Sequence, residues 1–452
     1  MMQMTTEVAP ERAFDKGTGG ADPVPWPTSR RAWWVVIVLG LALTLSLADR
    51  LIISLMIEPI KRDLRLSDTE IGLIHGLAFT ILYVFAGLPL GRLADRWNRK
   101  ALSAICVIAW SAMTALCGLA NSFNQLFAAR LGVGVGEAGL SPAAVSMVSD
   151  SFPRHRRARP LTFLTIGTTA GAGLAMMFGA AIIQMIGSSG EVELPLLGRV
   201  RGWQAVFIIL GVFGIFFSAI FLTVREPARQ ERGTGTSSVG DVIRFIWSRR
   251  LFLSAQFLGA SFSVLVLIGF HSWAPTMFIR RLGWDAASTG LVYGSCVAVG
   301  GLVSILIAGS MTDRLAAKGH HDAHLYLSSI AAAAGTVPLV LAPLVSWPPA
   351  IIALILLGFI CISAVPALAP TALQSVCSNE MRGQVFAVYM FVMSFLGYAV
   401  GPLAVAMTTD LIVQDEMRVH LSLALISGVF VPLSALCLFV ARRSYRGLVD
   451  RP

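Results

Sequence analysis

The chain has 452 residues, of which 56% are hydrophobic and 13% are charged, and its formal net charge is +10. With a mean hydropathy of +0.74, it lies far from soluble globular proteins, so the composition indicates a polytopic membrane protein. Crossing a hydrocarbon core of about 30 Å takes about 20 apolar residues in a helix. Stretches of that length, bounded by charges and turn residues, therefore define the predicted elements.

Residues 1–31 contain several Pro and Gly and no apolar block, so we expect a disordered cytoplasmic tail. Twelve apolar stretches follow, numbered spans 1 to 12. Their predicted bounds are 33–57, 71–94, 101–120, 124–149, 160–186, 203–224, 251–279, 287–312, 325–345, 348–374, 382–408 and 418–441. Residues 225–250, polar in their first half, are predicted to be a mobile cytoplasmic linker. The sequence thus predicts an all-α membrane protein of two pseudo-symmetric six-helix bundles, over 32–224 and 251–442, with a cytoplasmic C-terminal tail over 443–452.

Lys and Arg are distributed unequally between the two sides of these spans. The tails and the loops on the side of the termini carry far more cations than the opposite loops. Because cytoplasmic loops hold the excess of Lys and Arg, both termini are predicted to be cytoplasmic, in a bacterial-type inner membrane. The positive charge then fits contact with anionic lipids and not with nucleic acid. The six cysteines have no metal-binding or disulfide spacing, and no metal or cofactor is predicted.

The turn between spans 2 and 3, residues 91–100, has the sequence GRLADRWNRK. Its candidate gate residues are Gly91, Asp95, Arg96, Arg99 and Lys100. A degenerate copy, with Gly309, Asp313 and Arg314, lies at the exit of span 8 on the same predicted side of the membrane. This repeat indicates that the two halves of the chain are copies of one six-span unit.

Four ionisable side chains lie within predicted spans, where each costs roughly 2.5–3.5 kcal/mol on insertion scales and is retained for a partner or a purpose. Asp49 and Arg50 belong to span 1. Arg130 and Glu137 belong to span 4, two turns and about 10 Å of helix rise apart. Their positions place all four at similar depths. We therefore predict charge pairing across the two helices and not within span 4.

Two interpretations fit these four charges. Burial favours the neutral carboxylic acid whereas a nearby guanidinium favours the carboxylate, so movement of an arginine during transport would let Asp49 and Glu137 take up and release protons. The alternative is a static ion-pair lock without a coupling role. Arg50 and Arg130 also offer guanidinium forks that suit a carboxylate or phosphate of a substrate.

The C-terminal half supplies apolar and aromatic candidates for the rest of a substrate site. They are Phe270, His271, Trp273, Tyr293, Tyr389, Phe391 and Phe395. A cationic end beside an apolar wall suits an anionic amphiphile better than a sugar. His75, near the outer end of span 2, is expected to cap or pack and not to relay protons.

The turn at residues 91–100 resembles the signature loop of the major facilitator superfamily, and the resemblance covers roughly residues 33–441. It implies that the turn latches the cytoplasmic gate, with Asp95 against the helix N-terminus near Arg382. The adjacent Asp49 and Arg50, with the RLGVGVGEA run over 130–138, resemble the Spinster branch, whose transporters move lysophospholipids and sphingosine-1-phosphate. This narrower resemblance implies that the four buried charges carry substrate-linked or proton-linked switching.

We therefore expect a proton-coupled secondary transporter that works by alternating access and moves a lysophospholipid-like or sphingosine-1-phosphate-like anion. Its expected partners are that small molecule or lysolipid, protons and bilayer lipids, and a monomer is expected. The alternative is a multidrug or organic-anion/proton antiporter, and a non-transporting membrane receptor is more remote. The sequence has no GxxxxGK[ST] phosphate loop and no nucleophile or metal constellation, so we expect neither an ATP-driven pump nor an enzyme.

Overall fold

The computed structural model describes residues 26–186, 190–195, 197–230, 238–378 and 381–449. Within these ranges, twelve helices are long and apolar enough to cross a membrane, which confirms the predicted number and order of spans. Spans 1 to 6 are Ser29–Leu55, Asp68–Arg96, Arg99–Cys117, Phe123–Ser151, Ala158–Ile186 and Gly202–Thr223. Spans 7 to 12 are Arg250–Leu282, Ala286–Ala317, Ala323–Leu344, Pro348–Val376, Arg382–Val413 and Glu416–Leu448.

The two ends of the chain differ from the predicted tails. Most of the predicted N-terminal tail lies outside the described residues, but span 1 already begins at Ser29, inside it. At the other end the helix of span 12 continues to Val449, through most of the predicted C-terminal tail. Arg442 and Arg446 on this extension donate hydrogen bonds to Asp322 at the start of span 9, which explains why the helix continues beyond its apolar part.

The twelve spans form two bundles that meet along three pairs of helices. Span 5 packs against span 8, span 2 against span 11, and span 1 against span 7. At the first crossing, a Cβ added to Gly173 would lie 2.2 Å from the carbonyl oxygen of Gly294, so two glycines are needed for this close backbone approach. The halves are therefore in contact through helix backbones near the middle of the membrane.

Within the described residues, four elements lie outside the spans, of which the shortest is a 3₁₀ helix, Arg154–Arg156, between spans 4 and 5. A short helix, Ile57–Leu64, connects spans 1 and 2. An antiparallel hairpin, β1 (Glu191–Leu194) and β2 (Gly198–Arg201), lies between spans 5 and 6. The linker between the bundles contains the helix Val239–Ser248, which the sequence did not predict.

The linker helix forms because its sequence has both a cap and an apolar face. Ser238 precedes it, and its hydroxyl accepts a hydrogen bond from the backbone amide of Asp241, 3.2 Å away. Val242, Phe245 and Ile246 recur at helical spacing and pack against the core of the second bundle. The two bundles are thus joined by a segment that is docked on the second one.

Candidate functional site

A cavity of about 250 Å³ lies where the two bundles meet. Eight spans contribute its lining: 1, 2, 4 and 5 from the first bundle, and 7, 8, 10 and 11 from the second. Its walls are mostly apolar, and its cationic lining residues are Arg50 and Arg130. A pocket built equally from both halves changes its exposure when the halves move, which is the geometry of a transport site.

Glu137 forms an ion pair across the helices beside this cavity. Its Oε2 atom accepts a hydrogen bond from Nε of Arg50 at 2.6 Å and another from the Ser46 hydroxyl at 2.5 Å. Arg50 and Ser46 both belong to span 1, so the pair joins spans 1 and 4, as the spacing of the charges predicted. The Glu137 side chain is fully buried, whereas that of Arg50 keeps 15% of its surface exposed.

Asp49 and Arg130, the other two buried charges, do not form an ion pair. Nη1 of Arg130 donates to the backbone carbonyl of Asp49 at 3.0 Å, and Nε1 of Trp110 donates to the Asp49 Oδ2 atom at 2.8 Å. Within the described residues, Oδ1 of Asp49 and both Nε and Nη2 of Arg130 are buried without a hydrogen-bond partner. Both side chains therefore have unused hydrogen-bonding capacity next to the Arg50–Glu137 pair.

Aromatic rings surround the Arg50 guanidinium on its cavity side. Its carbon lies 4.4 Å from the Phe79 ring centre, 4.8 Å from that of Tyr83 and 5.9 Å from that of Tyr398. These distances allow cation–π attraction. Sequence reasoning missed all three rings, although Phe79 and Tyr83 lie one turn apart on span 2 and could have been recognised as one helix face.

Most of the aromatic residues predicted to bind substrate lie elsewhere. Of the predicted set, His271 lines the cavity. Trp273 is buried with its indole N–H donated to the Pro402 carbonyl, and Tyr389 packs in the core of the second bundle. Phe391 is exposed and meets Phe85 edge-on. Phe270, Tyr293 and Phe395 are also outside the cavity lining. In the second bundle, the aromatic rings that do line the cavity besides His271 are those of Phe359 and Tyr398. His271 thus lies on the cavity as predicted, and a substrate-binding role for the other aromatic residues stays a prediction.

His75 packs inside the protein, which is one of the two roles predicted for it, and it does so at the central cavity. It lines the cavity beside Phe79, and its Nε2 atom lies 3.5 Å from the hydroxyl of Ser272 on span 7. It is 7% exposed and neither caps a helix nor lies at the outer surface. The ring is therefore part of the central site, on the side where the first bundle faces the second.

Ion pairs around the buried side chains of Arg280, Asp68 and Lys61 close the end of the molecule opposite the chain termini, here called the outer end. Arg280 of span 7 donates to Glu58 at 2.7 Å and to both carboxylate oxygens of Asp68, at 2.7 and 2.8 Å. Lys61 bonds Asp68 and lies 2.8 Å from Glu416 of the second bundle. We call these five residues the outer latch. Because its pairs connect one bundle to the other, they hold the outer end shut.

At the end that carries the termini, the halves meet through apolar side chains, with Phe85 against Phe391. Asp95 of the predicted gate turn is exposed and has no ion-pair partner among the described residues. Arg96, Asp313 and Arg314 are exposed as well. The structure is thus closed at the outer end, and the predicted latch at the termini end is not formed.

Arg99 of the same turn is buried, whereas its neighbour Arg96 is exposed. Its side chain is fully buried and donates to Asp150, to Glu226 at 2.8 Å and to the Pro227 carbonyl at 2.6 Å. The backbone amide of Lys100 adds a bond to Glu226 at 2.8 Å. Through Arg99 and Lys100, the turn between spans 2 and 3 therefore connects the start of span 3 to span 4 and to the start of the linker.

Replacing Arg99 by alanine is expected to lower the free energy of unfolding by about 3–5 kcal/mol, because Asp150 and Glu226 would lose a shared buried partner. Thermal unfolding of the purified protein in detergent measures the change. Arg96→Ala is the matched control, since Arg96 is exposed and has no ion-pair partner among the described residues. Equal midpoints for the two variants would contradict a structural role for Arg99.

The second bundle carries a similar clamp with the charges reversed. Asp322, at the start of span 9, accepts hydrogen bonds from Arg442 and Arg446 near the end of span 12. Burial opposes ionisation of Asp322, but the bonds from Arg446 and Arg442 hold its pKa below the usual value. Charge pairs thus fix the termini end within each bundle, which fits movement of the bundles as rigid units.

Comparisons with known proteins agree with this architecture. The family model of the Major Facilitator Superfamily matches residues 38–402. The chain is 30% identical over 455 residues to an MFS-type efflux pump of Mycolicibacterium smegmatis, covering 97% of this chain and 98% of that protein. A crystal structure of a bacterial homologue of the human lysosomal transporter Spinster, inward-facing and unoccupied, superimposes with a TM-score of 0.80 at 25% identity, covering 94% of this chain and 99% of the other.

More distant relatives cover about two thirds of the chain. A probable L-galactonate transporter of Escherichia coli is 27% identical over 63% of this chain and 62% of its own length. Spinster homolog 1 of Xenopus tropicalis is 27% identical over 63% of this chain and 55% of its own length. These matches, the twelve spans and the cavity between the bundles lead to one conclusion. The chain belongs to the Major Facilitator Superfamily of membrane transporters and is Spinster-like.

Proposed function

We propose that this transporter is a proton-coupled secondary carrier that works by alternating access as a monomer. Its substrate is an anionic amphiphile, similar to a lysophospholipid or to sphingosine-1-phosphate. Asp49 and Glu137 carry the proton, and Arg50 and Arg130 exchange partners as the cavity changes its exposure. The observation that carries the proposal is the Arg50–Glu137 ion pair next to an Asp49 side chain that has no ion pair among the described residues.

The two carboxyl groups differ in a way that suits proton coupling. Glu137 is fully buried, and its charge is balanced by Arg50. Asp49 is also fully buried but has no ion pair within the described residues, and one oxygen of each carboxyl group, Oδ1 of Asp49 and Oε1 of Glu137, has no hydrogen-bond partner there. Because an unpaired buried charge is very costly, the proton resides on Asp49 in this conformation. If Arg50 moves away from Glu137 during transport, Glu137 becomes the site that must take up a proton.

The cavity suits the proposed substrate because it combines one free cation with apolar walls. Arg130 has two nitrogen atoms without a partner among the described residues, so it can bind a phosphate or carboxylate in a forked geometry. Leu47, Leu51, Leu267 and Ile268 supply apolar surface to the same cavity. At about 250 Å³, the cavity is near the lower limit of about 300 Å³ for small-molecule pockets. It therefore holds the head of an amphiphile and the start of its chain.

The excess of Lys and Arg on the termini side supports cytoplasmic termini. With this orientation, the closed outer latch faces the outside of the cell. The described conformation is then inward-facing, as in the Spinster homologue with which it superimposes.

Asp49→Asn and Glu137→Gln are expected to abolish the response of transport to a pH gradient, because neither side chain can then exchange a proton. The measurement is uptake and efflux of a labelled lysophospholipid by proteoliposomes, with and without an imposed gradient. Glu193→Gln, which neutralises an exposed carboxylate on the hairpin between spans 5 and 6, is the matched control. An unchanged pH response in both variants would refute proton coupling through these residues.

A second candidate function is a multidrug or organic-anion/proton antiporter. It is favoured by the similarity to the efflux pump of Mycolicibacterium smegmatis over 97% of the chain. Competition assays with purified protein distinguish the candidates. Inhibition of transport by lysolipids but not by cationic dyes supports the first, whereas inhibition by both classes supports the second.

A further inference from the structure

Another cavity, of about 690 Å³, lies at the termini end of the first bundle and shares no lining residue with the central cavity. The start of span 1, the end of span 4 and the connection into span 5 form its walls. Arg156 and Arg159 line it, and none of its described lining residues is acidic. Both arginines are exposed, and neither side chain has a hydrogen bond or an ion pair among the described residues. The described part of the chain therefore does not compensate these two charges.

An apolar surface continues from this cavity along spans 1 and 5. Trp33 and Phe152 both line the cavity, and their rings meet edge-on with centres 5.7 Å apart. Trp33 also meets Phe163 edge-on at 6.0 Å, and Phe163 is 44% exposed. Phe163 lies one turn after Arg159 on the same face of span 5, about 6 Å further along the helix toward the middle of the membrane. The cationic wall is thus followed by aromatic side chains on the side of the bilayer.

This order of charge and apolar surface matches a phospholipid. Guanidinium groups bind phosphate through forked hydrogen bonds, and a lipid phosphate lies at the membrane surface with its acyl chains directly below it. Soluble phosphate would pair with the arginines but would leave the aromatic surface unused. The excess of Lys and Arg indicates that this end is cytoplasmic, and the cytoplasmic leaflet carries anionic lipids that attract basic residues.

We propose that this cavity binds an anionic phospholipid of the leaflet on the termini side. Arg156 and Arg159 bind its phosphate, and its acyl chains lie against Trp33 and Phe163. The bound lipid is a partner and not the transported substrate, because this cavity is separate from the one between the bundles. The lipid joins the start of span 1 to the connection between spans 4 and 5, within the first bundle.

Competition between two lipids tests this site. Phosphatidylglycerol and phosphatidylcholine, the latter with deuterated but otherwise identical chains, are offered in equal amounts to the purified full-length protein in an uncharged detergent. Native mass spectrometry then shows which lipid binds first. Wild-type protein is expected to prefer phosphatidylglycerol about thirtyfold, since each basic residue at an anionic lipid surface contributes about fivefold. Arg156→Gln/Arg159→Gln is expected to lose most of this preference.

A second double variant controls for net charge. Arg314→Gln/Lys318→Gln also removes two exposed cations from the termini end, but at the end of span 8 in the second bundle. It is expected to keep the wild-type preference. Thermal unfolding without added lipid should give the same midpoint for wild-type protein and Arg156→Gln/Arg159→Gln, because neither arginine has a bonded partner among the described residues.

Each outcome decides for or against the lipid site. An unchanged preference in Arg156→Gln/Arg159→Gln overturns it, and so does an equal loss in the two double variants, which would be an effect of net charge. Displacement of phosphatidylglycerol by inorganic phosphate, where chloride of the same ionic strength has no effect, would make the cavity a soluble-phosphate site and overturn the assignment to a lipid. A loss confined to Arg156→Gln/Arg159→Gln, at an unchanged midpoint, supports the proposal. All of these outcomes leave the proposed transport function intact, because the central cavity has no lining residue in common with this one.

Discussion

Replacing Arg280 by alanine is expected to open the outer end of the transporter. The Arg280 side chain is 3% exposed and belongs to the second bundle, whereas its partners Glu58 and Asp68 belong to the first. Removing one partner of a buried ion pair costs about 3–5 kcal/mol. Because that cost applies to the state in which the pair is formed, the equilibrium shifts toward the state in which the outer ends separate.

Cysteine accessibility measures this shift. Thr276 lies one helical turn from Arg280 toward the middle of the membrane and is fully buried. In a background in which the six native cysteines are replaced, Thr276→Cys is expected to react slowly with a membrane-impermeant maleimide added at the outer side. Adding Arg280→Ala is expected to increase this rate at least about tenfold, which corresponds to about 1.4 kcal/mol and allows for partial compensation by Lys61.

Arg281 provides a matched control for this experiment. Its guanidinium donates to the Pro343 and Leu344 carbonyls at the end of span 9, within the second bundle. Arg281→Ala therefore removes a neighbouring cation without breaking a contact between the halves, and labelling should stay slow. If Arg280→Ala and Arg281→Ala gave the same labelling rate, the outer latch would not hold the two bundles together.

The buried charges of the site could be predicted from the sequence because a charge inside an apolar stretch is visible without a structure. Arg50 and Glu137 are paired as expected from their depths in spans 1 and 4. The pairing of Asp49 could not be predicted, because its partner is the indole N–H of Trp110 on span 3. Nothing in a string of apolar residues indicates which face of span 3 meets span 1.

The aromatic residues show where sequence reasoning fails in a membrane protein. Side chains that face lipid, core or cavity can all be aromatic, so composition does not separate Phe391, which is exposed, from Phe359, which lines the site. His75 was expected to cap or pack near the outer end of span 2, and nothing in the sequence indicated that it lines the central cavity. Its true position depends on how span 2 packs against spans 7 and 11.

The outer latch was missed for a different reason. Glu58, Lys61 and Asp68 belong to one short connection, and each could be interpreted as an ordinary loop charge. Their partners Arg280 and Glu416 are more than 200 residues away along the chain. Only the docking of the two bundles brings these charges together and buries Arg280, Asp68 and Lys61 among them, so the latch is a property of the assembled fold.

Arg50→Ala is expected to have the largest effect of any single substitution in the central site. It leaves the carboxylate of Glu137 fully buried with the Ser46 hydroxyl as its remaining hydrogen-bond partner among the described residues. It also removes the cation beside the Phe79 and Tyr83 rings. We expect a loss of about 3–5 kcal/mol in the free energy of unfolding and no measurable transport. Thermal unfolding and proteoliposome uptake measure the two effects.

A second substitution separates stability from transport. In Arg50→Ala/Glu137→Gln the uncompensated charge is removed, so most of the lost stability is expected to return, and the two single changes should be strongly non-additive. Transport should not return, because the double variant keeps Asp49 but has neither the Glu137 proton site nor the Arg50 cation that exchanges with it. Recovery of pH-driven uptake together with stability would instead mean that the Arg50–Glu137 pair is a static lock between spans 1 and 4, with proton coupling carried elsewhere.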